Sequence, residues 1–249
     1  MKVLKILKRG FMLWWDHSPA EICSHLNRKL STSHDSSNHI KVINRLNRGL
    51  RIWWTRSPSE IFGHQKRYNN INKINLCGGP ISIDGYIKID KAGNSDIVHN
   101  LLYPLPIESD SVHIIVMSQA LNYFTYEQVK FVVSEIYRVL RKGGIVRVSF
   151  PDLRIFAKAY LENDTDFLFQ KLPAGEDRFV GRTIGDKFIG LAYFYDGQKY
   201  FFDFESAAEV FRDAGFKQIE KCKYRESRIP EIDEIDNRPE LSCYLEAVK

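Results

Sequence analysis

Residues 71–90, Ile-Asn-Lys-Ile-Asn-Leu-Cys-Gly-Gly-Pro-Ile-Ser-Ile-Asp-Gly-Tyr-Ile-Lys-Ile-Asp, constrain this chain more than any other stretch. Ile74-Asn-Leu76 and Tyr86-Ile-Lys-Ile89 alternate as strands do; the first empties into a Cys77-Gly-Gly-Pro80 turn and the second ends on Asp90. Glycine lets backbone N–H groups approach a ligand where a Cβ would collide, and a carboxylate at the tip of the neighbouring strand can accept both hydroxyls of a ribose. Together they point to a nucleoside-containing cofactor. The acid lies eleven residues past Gly79, whereas a nicotinamide-type fingerprint places it roughly 20 on, which argues against a dinucleotide. The competing reading is an ordinary turn between two strands, with Asp90 capping the next element.

The rest of the chain supplies the strands that such a turn needs. Asp96-Ile-Val-His-Asn-Leu101 is a third strand candidate, and Val112-His-Ile-Ile-Val-Met-Ser118 is a near-continuous apolar run of the kind buried on both faces. Thr125-Tyr-Glu-Gln128 forms a capping box, and Val129, Val132, Val133, Ile136 and Val139 recur at helical spacing up to a stop at Gly143-Gly144. Ile145 to Phe150 predicts a fifth strand, Asp152 can cap the next helix, and Ala207, Val210, Phe211 and Ala214 line another that stops at Gly215. Phe216 to Tyr224 and Leu241 to Val248 close the chain as strands. Alternating strands and helices predict an α/β fold with a doubly wound, mostly parallel sheet. Residues 163–200, aromatic-rich and aperiodic, suit a substrate lid. Residues 77–85 are fewer than a helical crossover needs, so the helix between the first two strands is a single turn or absent.

The bulk numbers set limits. At 249 residues and 44% hydrophobic, the chain can bury a substantial core. Its four cysteines, Cys23, Cys77, Cys222 and Cys243, lack C-x-x-C spacing, so no disulfide framework or metal site is indicated and a reduced, cytoplasmic setting is expected. The apolar run Gly10 to Trp15 is too short for a signal peptide. The net charge of +5 divides unevenly, for residues 1–73 hold 14 Lys and Arg against 4 Asp and Glu. Within residues 1–70, Arg9-Gly-Phe-Met-Leu-Trp-Trp-Asp-His-Ser-Pro-Ala-Glu-Ile returns as Arg48-Gly-Leu-Arg-Ile-Trp-Trp-Thr-Arg-Ser-Pro-Ser-Glu-Ile, a duplicated motif at a period of 39 residues. Each Ser-Pro-x-Glu reads as a helix start, so residues 1–70 predict a basic, Trp-rich helical extension and residues 71–249 the main domain. The tryptophans and flanking cations either dock on an anionic membrane or protein partner, at the inner face of a membrane in the first case, or pack on the main domain.

With these pieces placed, residues 72–249 resemble the class I S-adenosylmethionine-dependent methyltransferases, in particular the type 11 subgroup. Ile74-Asn-Leu-Cys-Gly-Gly-Pro80 is similar to the first motif of that family, Gly85 to Asp90 to its ribose-binding strand, and Tyr137-Arg-Val-Leu-Arg-Lys-Gly-Gly144, Pro151-Asp-Leu153 and Ala214-Gly-Phe216 to later landmarks. The resemblance implies a Rossmann-like fold, S-adenosylmethionine as cofactor, and methyl transfer to an O or N atom of a small-molecule acceptor such as a sugar or glycan precursor. It places Leu76, Cys77, Gly78 and Gly79 around the methionine part of the cofactor, Asp90 on its ribose, Asn100 near its adenine, and Ser118, Gln119 and Leu121 on the far wall. Two departures stand out. Cys77 replaces a glycine, and the usual Ser-His-x-Leu-Glu-His is here Ser118-Gln-Ala-Leu-Asn-Tyr123. Asp152 and Tyr123 are the candidate catalytic residues, and the alternative is a catalytically inactive methyltransferase-like module that docks through the N-terminal repeat. No Asn/Asp-Pro-Pro-Tyr signature of base-modifying enzymes is present, so nucleic acid is not the expected partner.

Overall fold

The computed structural model describes residues 68, 70–91, 94–172, 175–193 and 197–249. The duplicated Trp-Trp motif lies outside them. Tyr68 and Asn100–Ile107 fall in one compact unit, in which the Tyr68 N–H donates to the Pro106 carbonyl at 3.2 Å. The remaining described residues form a second unit around one sheet.

That sheet contains β1 (Lys73–Leu76), β2 (Ile87–Asp90), β3 (Ile97–Val98), β4 (Val112–Ser118), β5 (Leu140–Pro151), β6 (Gln218–Cys222) and β7 (Ser242–Val248). Its order is β3-β2-β1-β4-β5-β7-β6. The pairs among β1 to β5 are parallel, and β7 runs antiparallel to both β5 and β6. This is the expected doubly wound, mostly parallel sheet. Chain order reverses between β1 and β4, and a crevice at the carboxyl ends of strands at such a switch point is where open α/β sheets bind ligands.

The helices form where the sequence signals them. In α1 (Tyr126–Val139) both halves of the capping box are made, the Gln128 N–H donating to Thr125 Oγ1 at 3.3 Å and the Thr125 N–H to Gln128 Oε1 at 3.0 Å. The helix ends at Val139, short of the expected Gly143-Gly144 stop, because Leu140 already pairs with Val112 in the sheet. Residues 141–144 are absorbed in a shift of register before Ile145 pairs with Ile114. Further along come α2 (Leu153–Leu161), α3 (Thr165–Leu168), α4 (Ile184–Tyr193) and α5 (Phe204–Asp213). Asp203 caps α5, and the turn after it brings Gly215, at φ +113°, so close to the Tyr137 ring that a Cβ would meet its Cζ at 2.9 Å. The third strand is reduced to Ile97–Val98.

No helix joins β1 to β2. Residues 77–86 make a turn, and the sheet face left bare is covered from elsewhere in the chain. Ile83, Tyr86, Ile114 and Val116 pack with Ile229, Ile232 and Ile235, the last two on α6 (Ile232–Ile235) in the β6–β7 connection. This connection, residues 223–241, is a strap across the sheet. It is fastened by Arg147, 1% exposed, whose guanidinium donates to Asp236 Oδ2 at 2.6 Å, Glu246 Oε1 at 3.2 Å and the carbonyls of Lys223 and Glu226.

Residues 163–200, read as a lid from their lack of periodicity, carry core contacts as well. Phe179 is buried, and its ring meets Phe156 of α2 edge-on at 5.7 Å, with Phe167 and Phe201 packed around them. An aromatic cluster of this kind has no regular period, because its rings come from α2, α3 and two loops. Among the described residues no helix is long and apolar enough to cross a membrane.

Candidate functional site

At the carboxyl ends of β1 and β4 a cavity of about 350 Å³ opens beside the Cys77-Gly-Gly-Pro80 turn. Cys77 itself adopts a left-handed φ of 53°, the conformation that glycine takes without strain. Burial, with the Asp90 carboxylate adding to it, pushes its thiol up to about 12, so at neutral pH it is a neutral wall atom and no nucleophile. Gly78 can carry a side chain only if its neighbours shift, since a Cβ would lie 2.5 Å from Asn75 Nδ2 and 3.1 Å from the Ile81 carbonyl. The Gly79 N–H donates to Asp90 Oδ2 at 3.0 Å, which ties the tip of β2 to the turn. From below, the buried Lys88 donates to the Gly79 carbonyl at 3.2 Å and to Ser82 Oγ at 3.4 Å.

The opposite wall is a polar network. Ser118 Oγ lies 3.0 Å from Ser149 Oγ and accepts from Asn237 Nδ2 at 2.9 Å, and the Tyr244 hydroxyl donates to the Asn237 carbonyl at 2.6 Å. Gln119, at φ 53°, leaves β4 so that its amide Nε2 donates to Ser242 Oγ at 2.7 Å. Ser242 Oγ spends its own proton on the Arg238 carbonyl, which fixes that orientation of the Gln119 amide and leaves Oε1 without a partner. Asn237 Oδ1 is also buried without a partner.

A second, smaller cavity of about 10 Å³ adjoins the first, with Gln119 and Arg238 on the walls of both. Tyr123, Phe156 and Phe179 form its apolar side, and Asn122 and Gln198 face it with buried side chains. The Asn122 carbonyl accepts from the N–H groups of Lys199 and Tyr200, at 2.8 and 3.3 Å, and this holds the 198–200 segment against the turn after β4.

The structure thus brings Cys77, Gly78, Gly79, Ser118 and Gln119 to one cavity, with Asp90 bonded to its turn. Leu76 and Leu121 are fully buried in the core behind it. Asn100 belongs to the other compact unit, where its Oδ1 accepts from the Leu102 N–H at 3.1 Å. Of the two candidate catalytic residues, Tyr123 lines the smaller cavity. Asp152 lines neither, because its carboxylate caps α2 through the Arg154 N–H at 3.0 Å and pairs with Lys221 at 3.5 Å. Sequence reasoning missed Asn75, Lys88, Asn237, Arg238 and Gln198. Only Lys88, a cation inside an apolar strand, left a readable signal.

A family model described as the ubiE/COQ5 methyltransferase family matches residues 84–228. The chain belongs to that family. Its members take S-adenosylmethionine as cofactor, and the residues here fit that group: a glycine turn with no room for a Cβ at Gly78 and a left-handed φ at Gly79, an acidic strand tip bonded to it, and at Asn237 Oδ1 an orphaned acceptor for one of the ammonium or hydroxyl donors of the cofactor. Three solved structures of S-adenosylmethionine-dependent methyltransferases are similar. That from Thermotoga maritima is 15% identical over 84% of this chain and 97% of its own, with a TM-score of 0.41. That from Archaeoglobus fulgidus is 11% identical over 77% and 92%, with a TM-score of 0.43. That from Mesorhizobium loti is 13% identical over 74% and 93%, with a TM-score of 0.39. No curated protein matches the chain.

Proposed function

We propose that this protein transfers the methyl group of S-adenosylmethionine to an oxygen or nitrogen of a small molecule, a sugar or glycan precursor being the favoured class. The observation that carries this reading is the pair of adjoining cavities sharing Gln119 and Arg238. One is walled by the glycine turn to which Asp90 is bonded, an arrangement that suits a nucleoside, and the other is a small pocket where an acceptor group can be held next to it. When bound, S-adenosylmethionine supplies an electrophilic methyl group on a sulfonium. In this reading the Cys77–Gly79 backbone cradles the amino-acid end, Asp90 receives the ribose hydroxyls, and Asn237 Oδ1 accepts from one of the remaining donors. The chain's contribution to rate is then positioning and exclusion of water, through Phe156, Phe179 and Tyr123, more than proton removal.

The departures from the family pattern support specialisation over decay. Gln119, Asn122 and Tyr123 stand where the pattern has His, Glu and His, and all three line the smaller cavity. Decay scatters changes, whereas these three share one wall and the other departure, Cys77, lines the adjoining cavity. Calorimetric titration with S-adenosylmethionine and S-adenosylhomocysteine, on wild type and Asp90→Ala, tests the cofactor half. Tight binding to wild type and a large loss in the variant are expected; no binding to wild type refutes it. Binding without turnover on a broad acceptor panel would favour the inactive docking module.

A further inference from the structure

We infer that the smaller cavity is a subsite for one hydroxyl group of an uncharged, hydroxyl-rich acceptor, with the amide oxygens of Asn122, Gln198 and Gln119 as its hydrogen-bond acceptors. The inference rests on the methyltransferase reading for the role of the neighbouring cavity and narrows its acceptor from oxygen or nitrogen to a neutral hydroxyl. Asn122 is 2% exposed and Gln198 6%, and the side-chain oxygen of each is buried with no partner. Buried polar atoms are almost always bonded, and an unmade bond costs about 1–3 kcal/mol. Two such orphans on one small cavity, with a third at Gln119 on its shared wall, mark a place built for a donor.

The surroundings select the donor. A cavity of about 10 Å³ admits a group the size of one water, so the rest of the acceptor stays outside it. Among the described residues the one charged side chain on its wall is Arg238, which disfavours an ammonium, and no carboxylate lines it to offset a buried cation. An anionic oxygen, though Arg238 attracts its charge, has no proton to donate and would leave all three amide oxygens unpaired. A neutral hydroxyl meets neither penalty. It donates its proton to an amide oxygen and keeps a lone pair, while its carbon framework lies against Tyr123, Phe156 and Phe179.

Saturation-transfer NMR on the full chain, with ethylene glycol, ethylammonium and acetate as probes, tests this with and without S-adenosylhomocysteine. Ethylene glycol is expected to bind in preference to both ions. Asn122→Leu should weaken it about tenfold, the worth of one good hydrogen bond, while raising the melting temperature, because it removes an unpaired buried oxygen; a merely structural asparagine would give the opposite thermal shift. Asn122→Asp, nearly isosteric, should turn the preference toward ethylammonium. Preference for an ion by the wild type, no probe binding, or a glycol signal unmoved by both variants overturns the inference. Calorimetry with S-adenosylhomocysteine on the same samples separates the two failures. Cofactor binding without glycol binding refutes the subsite alone, and glycol binding without cofactor binding refutes the methyltransferase reading instead.

Discussion

Gly78 shows how one residue sets the site. Its missing Cβ is the space occupied by the Asn75 amide, which is itself 3% exposed and donates to the Ile81 carbonyl at 3.4 Å. Gly78→Ala therefore drives Asn75 into the cavity or opens the turn, and either outcome removes the cradle. Binding of S-adenosylhomocysteine by calorimetry should fall at least about tenfold, with a melting-temperature loss in the range of a point change costing about 1 kcal/mol. Cys77→Gly is the matching control. The residue already sits at φ 53°, so glycine fits the backbone, and its neutral thiol has no chemical task to lose. Affinity in that variant should stay within about twofold, since a change below roughly 0.4 kcal/mol is what a relaxed turn and a lost wall atom leave between them.

At the scale of elements, the strap over residues 223–241 does what a helix between β1 and β2 would do, and its anchor is the Arg147–Asp236–Glu246 cluster. Arg147→Met leaves two carboxylates buried at 1% and 4% side-chain exposure without their cation. Urea denaturation should show a loss of about 3–5 kcal/mol. Affinity for S-adenosylhomocysteine should fall with it, because Asn237 and Arg238 reach the cavity on the strap. Replacing Arg147, Asp236 and Glu246 together with apolar residues should cost less than the single change. The cluster also shows where sequence reading stops. The strand runs, the Thr125–Gln128 box and the Asp152 cap were legible because each signal lies within a few residues. Arg147 meets partners 89 and 99 residues away, and nothing in Asp236-Asn-Arg-Pro-Glu240 marks it as cavity wall. Candidate site residues in the glycine turn and after β4 were legible for the same local reason, and Gln198 was not. The 165–193 region has its own fastening, Lys187, fully buried, donating to Asp177 at 2.9 Å and to the Phe179 carbonyl at 2.6 Å. Hydrogen bonds from Lys171 and Lys187 hold the Asp177 carboxyl down to about 2, against an ordinary 3.8. A depressed carboxylate stabilises the folded state above its unfolded value and loses that contribution as pH falls from about 4 toward 2. Thermal melts between pH 5 and pH 2 should therefore be flatter in Asp177→Asn than in wild type. At pH 7 Asp177→Asn should lower the melting temperature more than Lys187→Met, since only the former strands a buried ammonium.

At the scale of the whole chain, charge is the unexplained asymmetry: residues 1–73 carry 14 Lys and Arg against 4 Asp and Glu, and residues 74–249 carry 22 against 27. A paired Trp-Trp in each copy of the repeat, flanked by cations such as Arg9, Arg48, Arg51 and Arg56, combines the two ingredients of a peripheral membrane anchor, aromatic rings for the interface and positive charge for anionic headgroups. An acceptor-modifying domain tethered this way would meet substrates held at a membrane. The two ingredients respond differently to salt, which makes the reading testable with the full chain. Cations near an anionic surface contribute about 1 kcal/mol each, and the Debye length shrinks from about 10 Å at 0.1 M salt to about 3 Å at 1 M. Sedimentation with vesicles rich in anionic phospholipid should accordingly capture the protein at low salt and release most of it at high salt, with little capture by neutral vesicles. Replacing Trp14, Trp15, Trp53 and Trp54 with alanine should weaken capture at every salt concentration and leave the slope against salt unchanged, because it removes the insertion and not the attraction. Replacing Arg9, Arg48, Arg51 and Arg56 with glutamine should flatten the slope instead. Equal capture by neutral and anionic vesicles would refute the role of the cations, and capture by neither would leave a protein partner, or packing on the main domain, as the reason for the repeat.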